Sequence, residues 1–90
     1  MARVAEIARR LGIPPERLER EAIEIWLRRR LALVETEIAE ILVRYGVRDI
    51  KDLEEGIWSG KIPEHPAWED LIVLERLIGE RKKFSELLRQ

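Results

Sequence analysis

The sequence predicts an all-α protein: a helical hairpin of two long helices, with short helices at the N-terminus and in the connection, over residues 1–90 as a single domain. Three observations predict it. Apolar residues recur at intervals of three and four through most of the chain, which is the period of one helix face. Gly12, Pro14, Pro15, Gly46, Gly60, Pro63 and Pro66 stand at the joints between such stretches, where helices stop and restart. No run alternates apolar with polar residues over a length useful for a strand.

Val4, Ile7, Ala8 and Leu11 share one face of a short first helix, and Gly12 supplies its stop. Pro14 and Pro15 restart the chain, because proline fits a first helical turn whose N–H groups have no intrahelical partner. From Glu16 no glycine or proline interrupts the second helix until Gly46, after Tyr45. Thirty or so residues at 1.5 Å each span roughly 45 Å. Along it Leu27, Leu31, Val34, Ile38, Ile41 and Tyr45 are spaced 4-3-4-3-4, the seam of a coiled-coil-like pairing. Leu18, Ala22, Ile25 and Trp26 form a second apolar strip displaced around the same helix.

Asp49 is placed to cap a third, brief helix over 50–57, with Asp52 in its first turn and Ile50, Leu53 and Ile57 facing inward. The loop Ser59–His65 follows. Pro66 then opens the last helix, with Glu69 and Asp70 near its N-terminus compensating the helix dipole. Its inner strip is read as Trp68, Leu71, Leu74 or Glu75, Ile78 and Leu88, widened by Leu77 and Phe84.

One partner helix of about two dozen residues cannot cover both strips of the second helix. The remaining strip is expected to meet the first helix or another subunit. A chain of 90 residues buries only about 60–65% of the surface it exposes when unfolded, which also favours association. A homodimer is expected, with the 27–45 seam as its interface.

Charged residues make up 39% of the chain, far above the roughly 25% of an ordinary domain. Both signs are abundant, as suits long exposed helix faces. There is no Cys and no Asn, and Gln appears once, a composition that fits a thermophile. Without cysteine there is no disulfide framework and no thiolate metal cluster. Residues 1–30 carry a formal charge of +3 and residues 31–90 one of −4. Arg3, Arg9 and Arg10 are therefore the candidate nucleic-acid contacts, although Glu16, Glu19 and Glu21 beside them oppose phosphate binding. The N-terminal residues lack the apolar run of a signal peptide, and no stretch approaches a membrane span, so a cytoplasmic protein is expected.

Chemistry is thinly supplied. His65 is the single histidine, flanked by Glu64 and followed by Glu69 and Asp70. One imidazole without a second histidine or a thiolate is a weak metal site, and Pro66 puts it at or just before a helix start, where a capping or loop role suffices. Ser59 and Ser85 lie in no nucleophile motif, and no glycine-rich phosphate loop exists. An enzyme is not expected, nor a cofactor or metal. The three tryptophans say more. Trp58 and Trp68 bracket the 59–67 loop, while Trp26 lies beside the second strip. Either the first two clamp the loop on the bundle end, or these aromatic residues, with His65, anchor a protein partner.

The stretch Ile7-Ala-Arg-Arg-Leu-Gly-Ile-Pro-Pro-Glu-Arg-Leu-Glu-Arg-Glu-Ala-Ile-Glu-Ile-Trp-Leu27 resembles the helix-turn-helix part of ribbon-helix-helix repressors and antitoxins, with Ala22, Ile23, Trp26 and Leu27 matching the pattern of their second helix. The resemblance covers about a quarter of the chain. Only Met1-Ala-Arg-Val4 stand before or at the start of the expected first helix, too few for the DNA-reading strand of those proteins. More broadly, Tyr45-Gly-Val, the Gly56–Gly60 segment and Glu64-His-Pro-Ala-Trp-Glu-Asp70 look like small helical proteins of thermophilic archaea that form the presumed antitoxin halves of toxin–antitoxin pairs. That likeness implies an antitoxin that binds and neutralises a partner toxin. The alternative is a dimeric DNA-binding transcriptional regulator.

Overall fold

The structure, a computed structural model, describes residues 2–90. Its elements in order are α1 (Ala2–Leu11), α2 (Pro15–Tyr45), α3 (Ile50–Trp58) and α4 (Glu64–Leu88), and no strand occurs among the described residues. The helix α1 begins at Ala2, earlier than the spacing of its apolar residues suggests.

The expected punctuation sets the joints. Gly12 takes the left-handed conformation (φ 70°), and the Ile13 N–H donates to the Ala8 carbonyl at 3.0 Å, closing the end of α1. Gly46 repeats the device at the end of α2, with φ 65° and the Val47 N–H on the Leu42 carbonyl at 3.0 Å. Pro15 occupies the first turn of α2. At α3 the Asp49 carboxylate accepts the Asp52 N–H at 2.8 Å while the Asp52 carboxylate accepts the Arg48 N–H at 3.1 Å, so two acids cap the helix reciprocally. His65 has non-helical angles (φ −108°, ψ 125°), so regular helix in α4 starts at Pro66.

The two long helices pack against each other. Val34, Ile38 and Ile41 from α2, Leu53 and Ile57 from α3, and Ala67, Leu71, Leu74 and Leu77 from α4 form one buried cluster, with Leu27 buried further along α2. The 4-3-4-3-4 seam is thus covered from within the chain. Leu27, Val34, Ile38 and Ile41 are buried, and Leu31 and Tyr45 half-buried, before any second copy is added. The expectation of a dimer through this seam is corrected accordingly, since a heptad stripe fits a partner helix of its own chain as well as a foreign one. In the inner strip of α4, Leu71, Leu74 and Leu77 are buried as read, but its first member is Ala67 and not Trp68. Ala67 is completely buried and Trp68 stands at the edge, because a helix starting at Pro66 turns residues 67, 71 and 74 onto α2.

Register follows from where the helices meet. Tyr45 bonds to Asp70, and eighteen residues on in each direction Leu27 lies opposite Leu88, where both line one groove. The N-terminal part of α2 therefore runs past the end of α4, and α1, which touches α2 alone, is its neighbour in the chain. Ala8 is fully buried by that packing and Leu18 half-buried, whereas Ala22, Ile25 and Trp26 of the second strip stay exposed. The molecule measures 61 × 20 × 18 Å, with a radius of gyration of 19.2 Å. A compact domain of this length has about 12 Å.

Gly56 has a packing reason inside α3. A Cβ built there falls 2.5 Å from Ile62 Cδ1 and 3.0 Å from its Cγ1, so the missing side chain lets the returning loop lie on the helix. The Ile62 N–H donates to the Gly56 carbonyl at 3.0 Å and fixes the approach.

Candidate functional site: an aromatic recess between the third and fourth helices

Trp58 ends α3 and Trp68 lies in the first turn of regular α4, so the loop between them returns the chain and brings the two rings to one recess. Ile57 and Glu64 complete its lining. Trp58 is 82% exposed and Trp68 49% exposed, so Trp58 does not clamp the loop against the bundle. The loop is held instead by Ile62 on Gly56 and by the Ser59 N–H, which donates to the Glu55 carbonyl at 2.9 Å. Two large apolar rings are left facing outward on a backbone fixed by other contacts. Such rings supply much contact area for little entropy lost on ordering.

His65 borders the same corner. Its side chain is exposed, with Nδ1 3.9 Å from Glu69 Oε1. Among the described residues no group of three His, Cys, Asp or Glu side chains converges as a metal site.

Trp26 is elsewhere. It meets Phe84 of α4 edge-on, with ring centroids 6.3 Å apart, and carries the Arg30 guanidinium 5.7 Å from its ring centroid. With Ile23, Leu27 and Leu87 it lines an open apolar groove at the free end of the hairpin. The four residues expected to anchor a partner therefore divide into Trp58, Trp68 and His65 at one corner and Trp26 at the other end.

The arginines proposed for nucleic acid lie on α1. Arg9 and Arg10 both reach Glu6, at 3.9 and 3.2 Å, and Arg3 borders a shallow recess with Glu6, Ile7 and Arg10. One carboxylate thus sits within the cationic cluster and lowers its field toward phosphate.

A polar cluster that the sequence does not announce joins α2 to α4. The Tyr45 hydroxyl donates to Asp70 Oδ2, and Arg44 Nη1 reaches the same oxygen at 3.1 Å. Burial, then the bond to Asp70, pushes the phenol above its ordinary value of 10.0, because both favour the neutral form. Asp70 reads locally as a first-turn acid, and a separation of 25 positions between the partners leaves no local signal.

Among the described residues no helix is long and apolar enough to cross a membrane. No curated protein and no solved structure matches the chain. One family model does, over residues 1–90 and so over the whole sequence, and the chain belongs to the uncharacterized protein MJ0235 family.

Proposed function

We propose that this chain is a non-catalytic protein-interaction module of the antitoxin kind, and that the Trp58–Trp68 recess receives the partner toxin. The observation that carries this reading is the pair of outward-facing tryptophans on a rigid corner. Exposed clustered aromatic residues mark recognition sites, and tryptophan is among the residues enriched where interfaces concentrate their energy. Glu64, Glu69 and His65 at the rim supply polar groups around the apolar centre, the usual arrangement of an interface.

The experiment pairs this chain with the product of the adjacent gene. The antitoxin reading expects that product to arrest growth when expressed alone, and this chain to relieve the arrest and co-purify with it. Trp58→Ala and Trp68→Ala should each weaken the complex by about 2 kcal/mol or more, since central aromatic anchors carry such values. A neighbour that is harmless, or that neither binds nor is relieved, overturns the reading. Retention of duplex DNA that weakens steeply with salt would support a transcriptional regulator instead.

A further inference from the structure

Around Leu33 one side of the hairpin carries exposed apolar side chains that nothing within the chain covers. At roughly 100° per residue, Trp26 and Leu33 on α2 and Val73, Phe84 and Leu87 on α4 fall on the same side of the plane through the two helix axes. The contact of Trp26 with Phe84 fixes that side. Trp26, Leu33 and Leu87 are exposed by 57%, 52% and 43%. The other side of the hairpin at this level presents Glu24, Arg28, Glu35, Glu75 and Lys82, all exposed. A helix pair that ended its assembly here would leave its apolar side in water and its charged side equally wet.

We propose that a second copy of this chain covers the Trp26–Leu33–Phe84 side, two hairpins forming a four-helix bundle about a two-fold axis that passes between Leu33 and Val34. The charges on the stripe select this occupant. Trp26, Arg30, Leu33, Glu37 and Glu40 follow one another at 4-3-4-3 spacing, so Arg30 and Glu37 flank Leu33 on one line. When two such helices run antiparallel across a two-fold between Leu33 and Val34, Arg30 of each copy lies opposite Glu37 of the other, and the pairing occurs twice. Neither residue makes an ion pair within the chain among the described residues. The area agrees. The chain exposes 7144 Å², where a compact monomer of 10.7 kDa exposes about 5,500 Å², and a standard interface takes about 800 Å² from each partner. This surface is separate from the Trp58–Trp68 recess, and the inference stands without the antitoxin reading.

Sedimentation equilibrium on the full chain tests it. Wild type is expected at twice 10.7 kDa at micromolar concentration. Leu33→Glu at an exposed position should give a monomer of unchanged helicity. Arg30→Glu and Glu37→Arg should each weaken association on the order of tenfold by setting like charges opposite each other, and the double variant should recover it because the swapped charges pair again. The double variant keeps the test decisive if Leu33→Glu fails to fold. A monomeric wild type, a dimer insensitive to Leu33→Glu, or charge effects that simply add in the double variant would each overturn the proposal. Loss of the dimer in Trp58→Ala would overturn its placement on this side.

Discussion

Tyr45 and Asp70 tie the two long helices together: the phenol at the end of α2 donates to the carboxylate in the second turn of regular α4, and Arg44 shares the acceptor oxygen. Apolar seams permit sliding by a turn, whereas this bond holds at one register. Tyr45→Phe should destabilise the protein by about 1 kcal/mol in urea unfolding at neutral pH, less than a fully buried bond to a charged group because the site is partly solvated. The pH dependence has a definite sign. The folded-state value lies above the ordinary 10.0, so the stabilisation is fully present below about pH 10 and is lost as pH rises through the folded value. The gap between wild type and Tyr45→Phe should narrow on that alkaline limb. A gap that widens there contradicts the assignment.

Gly56 separates helix propensity from packing. Alanine is favoured over glycine by about 1 kcal/mol in a helix interior, yet its Cβ would fall 2.5 Å from Ile62 Cδ1. Gly56→Ala is therefore expected to be neutral or destabilising in the wild-type background and stabilising in an Ile62→Ala background. The cycle should show a coupling of about 1 kcal/mol, the range for residues in direct contact. Thermal unfolding of the four proteins measures it, and a stabilising Gly56→Ala in both backgrounds would remove the role given to Ile62.

Val34 and Ile38 illustrate how far the seam can be read. Each is 5% exposed, packed within the chain. Replacing both with Glu places two unpaired carboxylates in an apolar core and should abolish the folded state, leaving low helicity in circular dichroism instead of a folded monomer. Leu33→Glu, one residue away on the exposed side, should leave helicity intact. Equal behaviour of the two variants would mean that the faces of α2 have been exchanged.

The same residues show why helices were legible and their partners were not. Gly12, Gly46, Pro15 and Pro66 act through their own backbone angles, so each joint is written locally. The stripe from Leu27 to Tyr45 announces a partner helix but is silent on whose, since knobs fit holes from either chain. Ala67 was hidden behind Trp68 because size suggests burial, while the phase set by Pro66 decides it. Trp58 and Trp68 were visible as a pair around one loop, but the contact that holds this loop, Ile62 over Gly56, joins positions that no local pattern links.

Gly12 and the arginines beside it make opposite predictions about the α1–α2 turn. If the turn is a packing corner, its backbone matters and its charges do not. Gly12 has φ 70°, a region in which a β-branched side chain is strained, so Gly12→Val should cost about 1–2 kcal/mol and loosen the packing that buries Ala8. Arg9 and Arg10 are exposed and share Glu6, and such surface pairs contribute at most about 1 kcal/mol, so the Arg9→Ala/Arg10→Ala variant should melt close to wild type. Duplex DNA should bind neither wild type nor this variant appreciably at moderate salt, because the cations of α1 face their own carboxylate. Submicromolar DNA binding by wild type that disappears with the two arginines would make the turn a nucleic-acid reader. Equal destabilisation by Gly12→Val and the double alanine variant would mean that the Glu6 cluster, and not the glycine, holds α1 on α2.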